Sequence, residues 1–592
     1  MKPAPFRFAL LYLSAVIAQT AFAAAAPAPP TPDYSDYVLT PKPPHTPRIN
    51  GPGIYGERPG NPFLYLIPAT GDRPMTFAAT GLPAGLRLDP NTGLIRGRAA
   101  TPGTYQVQLT AVNALGTGTR DFRIVIGDQI ALTPPMGWNS WNSWAGNVDQ
   151  DKVLRSARMI VSSGLINHGW TYVNIDDTWQ GARTGLDRAL QANDKFPDMR
   201  QLCMQIHQMG LKAGIYSTPW ITSYAGFPGG SGEDADGTWN KAVQGVGNAY
   251  HRIGDVHFVA ADVKQWTTWG FDYLKYDWNI DQKNTKEMAD ALRASGRDIV
   301  LSLSNTAPFN DPQRGSATDW KTLANAWRTT GDINDMWGLT PDYHHGMAEI
   351  GFAQDRWAPF ASPGHWNDPD MLVVGYVSVG GPIHSTHLSA DEQYTHISLW
   401  CLLSAPLLIG CDMDRLNDFT LSLLTNDEVL ALDQDALGKQ AVQVSGPVFQ
   451  PPPANGRRGG PPQPPPAVSD KEQLAVSDAL RRILSEADPD AKQALEAHPN
   501  FHPLANGLPV NNPGGNGLVF AKPLEDGTLA VGLFNVGLKD ETVSVQWSDL
   551  GLDGRRLVRD LWRQKDIGVF DQSFTTTVPS HGVVLVKLKP AP

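Results

Sequence analysis

The residues best suited to chemistry lie in one short run, Tyr273-Leu274-Lys275-Tyr276-Asp277. Read as a strand, it places Tyr273, Lys275 and Asp277 on one face and Leu274 and Tyr276 on the other, because alternate side chains point to opposite sides. A lysine and an aspartate two residues apart at a strand end are costly to bury without a purpose. This reading makes Asp277 a nucleophilic carboxylate and Lys275 the cation that keeps it ionised. Further carboxylates end other short apolar runs: Asp176 and Asp177, Asp332, Asp368 and Asp370. Trp141, Tyr216, Ser302, Ser304 and Arg328 stand at similar places. Carboxylates with a lysine, an arginine and aromatics, and no cluster at metal-ligand spacing, point to glycoside hydrolysis, which needs two carboxyl groups flanking the bond. Spacing alone does not choose the pair.

The elements that position these residues alternate between strand and helix from residue 132 to about 410. Strands are expected at 135–140, 172–176, 212–217, 273–277, 299–304, 326–330, 365–368 and 406–410. Helices are expected at 149–163, 199–209, 285–294 and 392–403, the first with Val153, Leu154, Ala157, Ile160 and Val161 on one face. Eight such units predict a (β/α)8 barrel with its site at the strand ends.

The 592-residue chain carries a formal net charge of −11, which gives no basic stripe for nucleic acid. Lys2 and Arg7 precede an apolar run at 8–18, and Ala21-Phe22-Ala23 offers a cleavage site. Residues 1–23 therefore read as an export signal, with the mature protein periplasmic or extracellular, and no stretch reads as a membrane span. Residues 24–46, rich in Pro and Ala, read as a linker. Residues 47–128 show short alternating segments separated by turns, as in a small β-sandwich. Residues 129–433 hold the barrel. Residues 434–592 read as an antiparallel β-sandwich with a Pro-rich, partly helical insert at about 446–517. Cys203, Cys401 and Cys411 are too few and too scattered for a disulfide framework and read as buried thiols.

Several runs carry a resemblance. Pro134-Pro135-Met136-Gly137-Trp138-Asn139-Ser140-Trp141, Ile175-Asp176-Asp177-Thr178-Trp179, Ala225-Gly226-Phe227-Pro228-Gly229, the strand ending in Asp277, and Trp366-Asn367-Asp368-Pro369-Asp370-Met371-Leu372 follow in order. With them the chain resembles glycoside hydrolase family 27, the α-galactosidases and α-N-acetylgalactosaminidases. Residues 47–128 resemble the immunoglobulin-like modules of secreted bacterial proteins, in which a spacer role is favoured over polysaccharide binding.

The family resemblance implies an exo-acting, retaining glycosidase that needs no metal or organic cofactor. It implies Asp277 as nucleophile and Asp332, four residues after Arg328, as acid/base. It places Trp141, Asp176, Asp177, Tyr216, Lys275, Arg328 and Asp370 around the sugar. The paired aspartates suit the 4-OH and 6-OH of galactose. Two family half-cystines correspond to Tyr224 and Asn279 here, so the loop they tie must be held otherwise. Residues 233–259 read as an extra loop over the site, with Trp239 and Tyr250 facing substrate. Ser304 and Ala307 fall beside the sugar's 2-substituent and leave room for an N-acetyl group. The expected substrate is an α-D-galactoside, with an α-N-acetylgalactosaminide as the alternative and a non-catalytic carbohydrate-binding barrel as the third reading.

Overall fold

A computed structural model describes residues 34–237, 251–338, 344–379, 381–447 and 515–591. The export signal, residues 24–33 of the linker, most of the Pro-rich insert, Trp239 and Tyr250 lie outside the described residues.

The barrel strands are β1 (Met136–Asn139), β2 (Tyr172–Asn174), β3 (Lys212–Ser217), β4 (Tyr273–Asp277), β5 (Val300–Ser304), β6 (Ala326–Arg328), β7 (Trp366–Asp368) and β8 (Leu407–Ile409). They pair in parallel from β7 through β1 to β8. Leu372 closes the ring: its amide donates to the Leu408 carbonyl at 2.8 Å and its carbonyl accepts from Gly410 at 3.0 Å. The expected strands are all present, most a residue or two shorter at one or both ends.

The strand faces follow the pleat. Leu274 and Tyr276 join the large core between barrel and helices, whereas Tyr273 packs with Val300, Met371 and Leu408 inside the barrel. The helix Gln150–Ser162 starts where the Asp149 carboxylate accepts from the Lys152 amide, an N-cap that satisfies an otherwise orphaned donor. The helix Ala390–Leu403 is buried along nearly its whole length. It lies between the barrel and the C-terminal sheet, and its buried polar side chains are paired there: Glu392 with His581 Nδ1 at 2.7 Å, and His396 Nε2 with the Val373 amide at 3.1 Å.

The N-terminal module has two main sheets, beside a short antiparallel pair of Arg48–Ile49 with Ala69–Thr70. One orders Ile54–Glu57, Gly116–Ile126, Gly103–Asn113 and Thr76–Thr80, and the other Phe63–Leu66, Leu94–Gly97 and Leu86–Leu88. They enclose a core that includes Phe63, Tyr65, Ile95, Leu109 and Phe122. The module docks on the barrel end opposite the site. The Arg58 amide and the Asn61 side chain donate to Asp298 just before β5, and Lys212 at the start of β3 meets the Tyr55 hydroxyl.

The C-terminal domain has a six-stranded antiparallel sheet, flanked by the pair Glu541–Gln546 and Ser573–Val578. The three cysteines are free and buried. Among the described residues no helix is long and apolar enough to cross a membrane.

Candidate active site

The C-terminal ends of the barrel strands surround a cavity of about 540 Å³. Trp141, Asp176, Asp177, Tyr216, Lys275, Asp277, Ser304, Arg328, Asp332 and Asp370 all line it. Of the residues placed at the strand ends from sequence, three do not line it: Ser302 and Asp368 are buried and line a smaller adjoining cavity, and Ala307 lies behind the wall. Ala307 is buried at 1 % exposure, its amide donating to the Arg328 carbonyl at 2.8 Å. The wall at that place is built by Asn305 and Thr306 instead. Position 307 misses the cavity because the chain turns at Asn305, which has a φ of +72°.

Asp277 ends β4 and is 8 % exposed. Its Oδ2 accepts from the Tyr216 hydroxyl at 3.1 Å and its Oδ1 from Asn305 Nδ2 at 2.5 Å. Burial pushes its pKa up to about 7. Lys275 and the Tyr216 hydrogen bond oppose that rise, and the nearby Asp332 and Asp176 charges add to it. Lys275 therefore does not hold Asp277 in the ordinary carboxylate range. Its ammonium is ion-paired with Asp176 Oδ2 at 2.8 Å. Burial pulls the lysine's pKa down, but Asp176 and Asp277 outweigh it and the net shift is upward.

Asp176 and Asp177 follow β2 and are each 2 % exposed. The Asp176 amide donates to the Ser140 hydroxyl, and its Oδ1 accepts from the Asp177 amide at 2.8 Å. Asp177 accepts from Gln180 Nε2 at 2.9 Å and from the Ala225 amide at 3.2 Å. Burial raises its pKa against the hydrogen bonds from Ser223 and Gln180. Two fixed carboxylates side by side form a ready pair of acceptors for sugar hydroxyls.

Asp332 contrasts with Asp277. Its side chain is 46 % exposed. Arg328 Nη2 lies 3.1 Å from Asp332 Oδ1 and 2.9 Å from Asp370 Oδ2, so one guanidinium ties both carboxylates. Burial raises the Asp332 pKa, but Arg328, helped by Lys275 and His344, brings it below the usual range. Asp370 adopts a φ of +85°, unusual for a non-glycine residue, and its Oδ2 also accepts from the Ile333 amide at 2.9 Å. The loop carrying Asp332 is thereby fixed to the end of β7. Five carboxylates and two cations line one cavity, an arrangement suited to hydroxyl donors and to positive charge developing at a sugar carbon.

Sequence reasoning missed Asn305, Thr306 and His344. Asn305 donates both to Asp277 and to the Tyr224 hydroxyl, the latter at 2.8 Å. Tyr224 also packs edge-on against Trp220 at 5.0 Å. Through these contacts the tyrosine ties its loop to the turn after β5. The signal for Asn305 was an asparagine directly after a strand, a residue tolerant of left-handed backbone.

Comparison with known proteins agrees with this geometry. The family model for alpha galactosidase A matches residues 133–243 and 242–435, the alpha galactosidase C-terminal beta sandwich model matches 514–588, and an Ig-domain model matches 46–127. Alpha-galactosidase 2 of Arabidopsis thaliana is 30 % identical over 79 % of this chain and 92 % of its own. The crystal structure of alpha-galactosidase I from Mortierella vinacea is 27 % identical, with a TM-score of 0.57 over 78 % of this chain and 98 % of that one. A family 27 β-L-arabinopyranosidase from Geobacillus stearothermophilus is 26 % identical, with a TM-score of 0.56 over 78 % of this chain and 97 % of that one. The matched residues include every strand end that builds the cavity, and on that ground the chain belongs to glycoside hydrolase family 27 and is a glycoside hydrolase, not a non-catalytic sugar-binding barrel.

Proposed function

We infer that the protein hydrolyses terminal α-D-galactosyl residues with retention of configuration. The observation that carries this reading is the opposition, in one cavity, of a buried Asp277 held by Tyr216 and Asn305 and a half-exposed Asp332 held by Arg328. The names of the relatives supply the sugar. Asp277 attacks the anomeric carbon while Asp332 protonates the leaving oxygen. Water, deprotonated by Asp332, then releases the sugar from Asp277. Asp176 and Asp177 accept hydrogen bonds from the 4-OH and 6-OH.

The two carboxyls share one proton in the productive state, which must sit on Asp332. A sugar in the cavity covers that half-exposed carboxyl and strips its water, which raises its pKa. Positive charge growing at the anomeric carbon favours the ionised form of Asp277.

The second reading, an α-N-acetylgalactosaminidase, rests on Ser304 alone, because Asn305 and Thr306 occupy the wall where small residues would admit the acetamido group. Hydrolysis of an aryl α-D-galactopyranoside beside the matching N-acetyl-α-D-galactosaminide tests the choice. Faster cleavage of the first is expected, and faster cleavage of the second would overturn it.

Export rests on the sequence of residues 1–23, and N-terminal sequencing of protein recovered outside the cytoplasm tests it. The N-terminal module braces the barrel's far end, a role supported by its contacts to Asp298 and Lys212.

A further inference from the structure

Three residues beyond Asp332, the same loop carries Asp335, whose side chain is 1 % exposed. Its carboxylate faces two imidazoles from the segment after β7. His384 Nε2 lies 3.1 Å from Oδ2, and His387 Nδ1 lies 3.2 Å from the same oxygen. The two rings stack with centroids 4.5 Å apart. The three side chains can each offer one donor atom, all within 4.8 Å of one another. No spacing in the sequence announced this cluster, since Asp335 and His384 are 49 residues apart.

His384 Nδ1 lies 2.8 Å from the Pro382 carbonyl, which can only accept, so Nδ1 carries a hydrogen. In a neutral ring, Nε2 then turns its lone pair toward the Asp335 oxygen. Two acceptors would face each other at 3.1 Å. A cation held by Nε2 and the carboxylate removes that opposition, and it also meets His387 Nδ1, 3.2 Å from the same oxygen.

We propose that Asp335, His384 and His387 bind a divalent d-block cation of the zinc type. Two imidazole nitrogens and one carboxylate oxygen are a donor set that such ions take, with further positions left to water. Donor atoms about 2.0–2.1 Å from a tetrahedral ion stand roughly 3.3 Å apart, close to the separations from Asp335. The Nδ1–H of His384 on a backbone carbonyl orients the ring as a metal-ligating histidine is oriented. The histidine side chains are 27 % and 31 % exposed, which leaves the ion an entry path.

The frame is built in advance. His384 lies in a short antiparallel pair, Tyr376–Val377 with His384–Ser385. The Thr386 hydroxyl donates to the Val373 carbonyl and its amide to the Gly375 carbonyl, each at 2.7 Å. The His387 amide donates to Asp335 Oδ2 at 2.9 Å. None of the three residues lines the sugar cavity. The ion would clamp the loop that carries Asp332 to the segment after β7, making it a positioning element outside the chemical steps.

The test is metal analysis and melting of the full, untagged chain. After removal of chelator, the wild type is expected to take up one Zn²⁺ per chain and to melt at a higher temperature with Zn²⁺ than with EDTA. Co²⁺ should give visible d–d absorption. His384→Gln and His387→Gln, partly exposed positions that leave the fold intact, should lose uptake, the thermal shift and the cobalt band. A folded wild type that takes up no stoichiometric Zn²⁺, or uptake unchanged in both variants, would overturn the proposal.

Discussion

Asn305 Nδ2 stands 2.5 Å from Asp277 Oδ1 and 2.8 Å from the Tyr224 hydroxyl, so one amide group links the buried carboxylate to the loop over the site. Asn305→Gly keeps the left-handed backbone and deletes the amide. The loss of a donor to the charged form should raise the carboxyl's pKa further. The acid limb of kcat/KM should move up by about half a unit or more, with kcat down ~10-fold. Tyr224→Phe should give a weaker shift in the same direction. An unchanged pH profile in Asn305→Gly would show that the amide does not act on Asp277.

Asp277 also predicts a stability effect. Its folded-state pKa of about 7 exceeds the ordinary value of 3.8. Between those values the folded chain holds a proton that the unfolded chain has released, so this group's contribution to stability falls as pH rises through that window. Asp277→Asn carries no such penalty. It should match the wild type near pH 4 and exceed it at pH 8 by about 1–3 kcal/mol, with turnover lost by ~10³-fold or more. Thermal melts at the two pH values check this, and a variant less stable at pH 8 would contradict the burial argument.

Asp332→Asn removes the acid, so substrates with poor leaving groups should suffer most. An alkyl or sugar leaving group should slow by ~10²-fold or more, and an activated aryl leaving group by much less in the first step. Equal losses across a leaving-group series would argue against an acid role.

Asp176 and Asp177 should be separable by substrate. A β-L-arabinopyranoside presents the galactose ring pattern without the C6 hydroxymethyl group. Ala substitution of the aspartate that reads the 6-OH should cost ~10²-fold on the galactoside but far less on the arabinopyranoside. Equal losses for both variants on both sugars would mean that neither carboxylate reads the 6-OH.

Much of this site was legible in the chain because strand alternation and strand ends are local. The run ending in Asp277 fixed both its own faces and its place on the barrel rim. Partnerships between distant strands were not legible. Lys275 shares a strand with Asp277, yet its ion pair is with Asp176, 99 residues away. Asn305 reaches Asp277 only because the chain turns left-handed there, and the same turn takes Ala307 out of the cavity. In the C-terminal domain, Lys565–Phe570 is a largely exposed strand whose apolar Ile567 and Val569 face outward, so its pattern reports no buried face. The antiparallel pairing with Arg556–Asp560 defines it instead.

The central claim is double displacement at Asp277 on a galactoside. Its most direct measurement is ¹H NMR of the first sugar released from an aryl α-D-galactopyranoside by the wild type, with folded Asp277→Asn as control. The expected result is α-galactose appearing first and no release by the variant. β-Galactose appearing first, or undiminished release by Asp277→Asn, would contradict it.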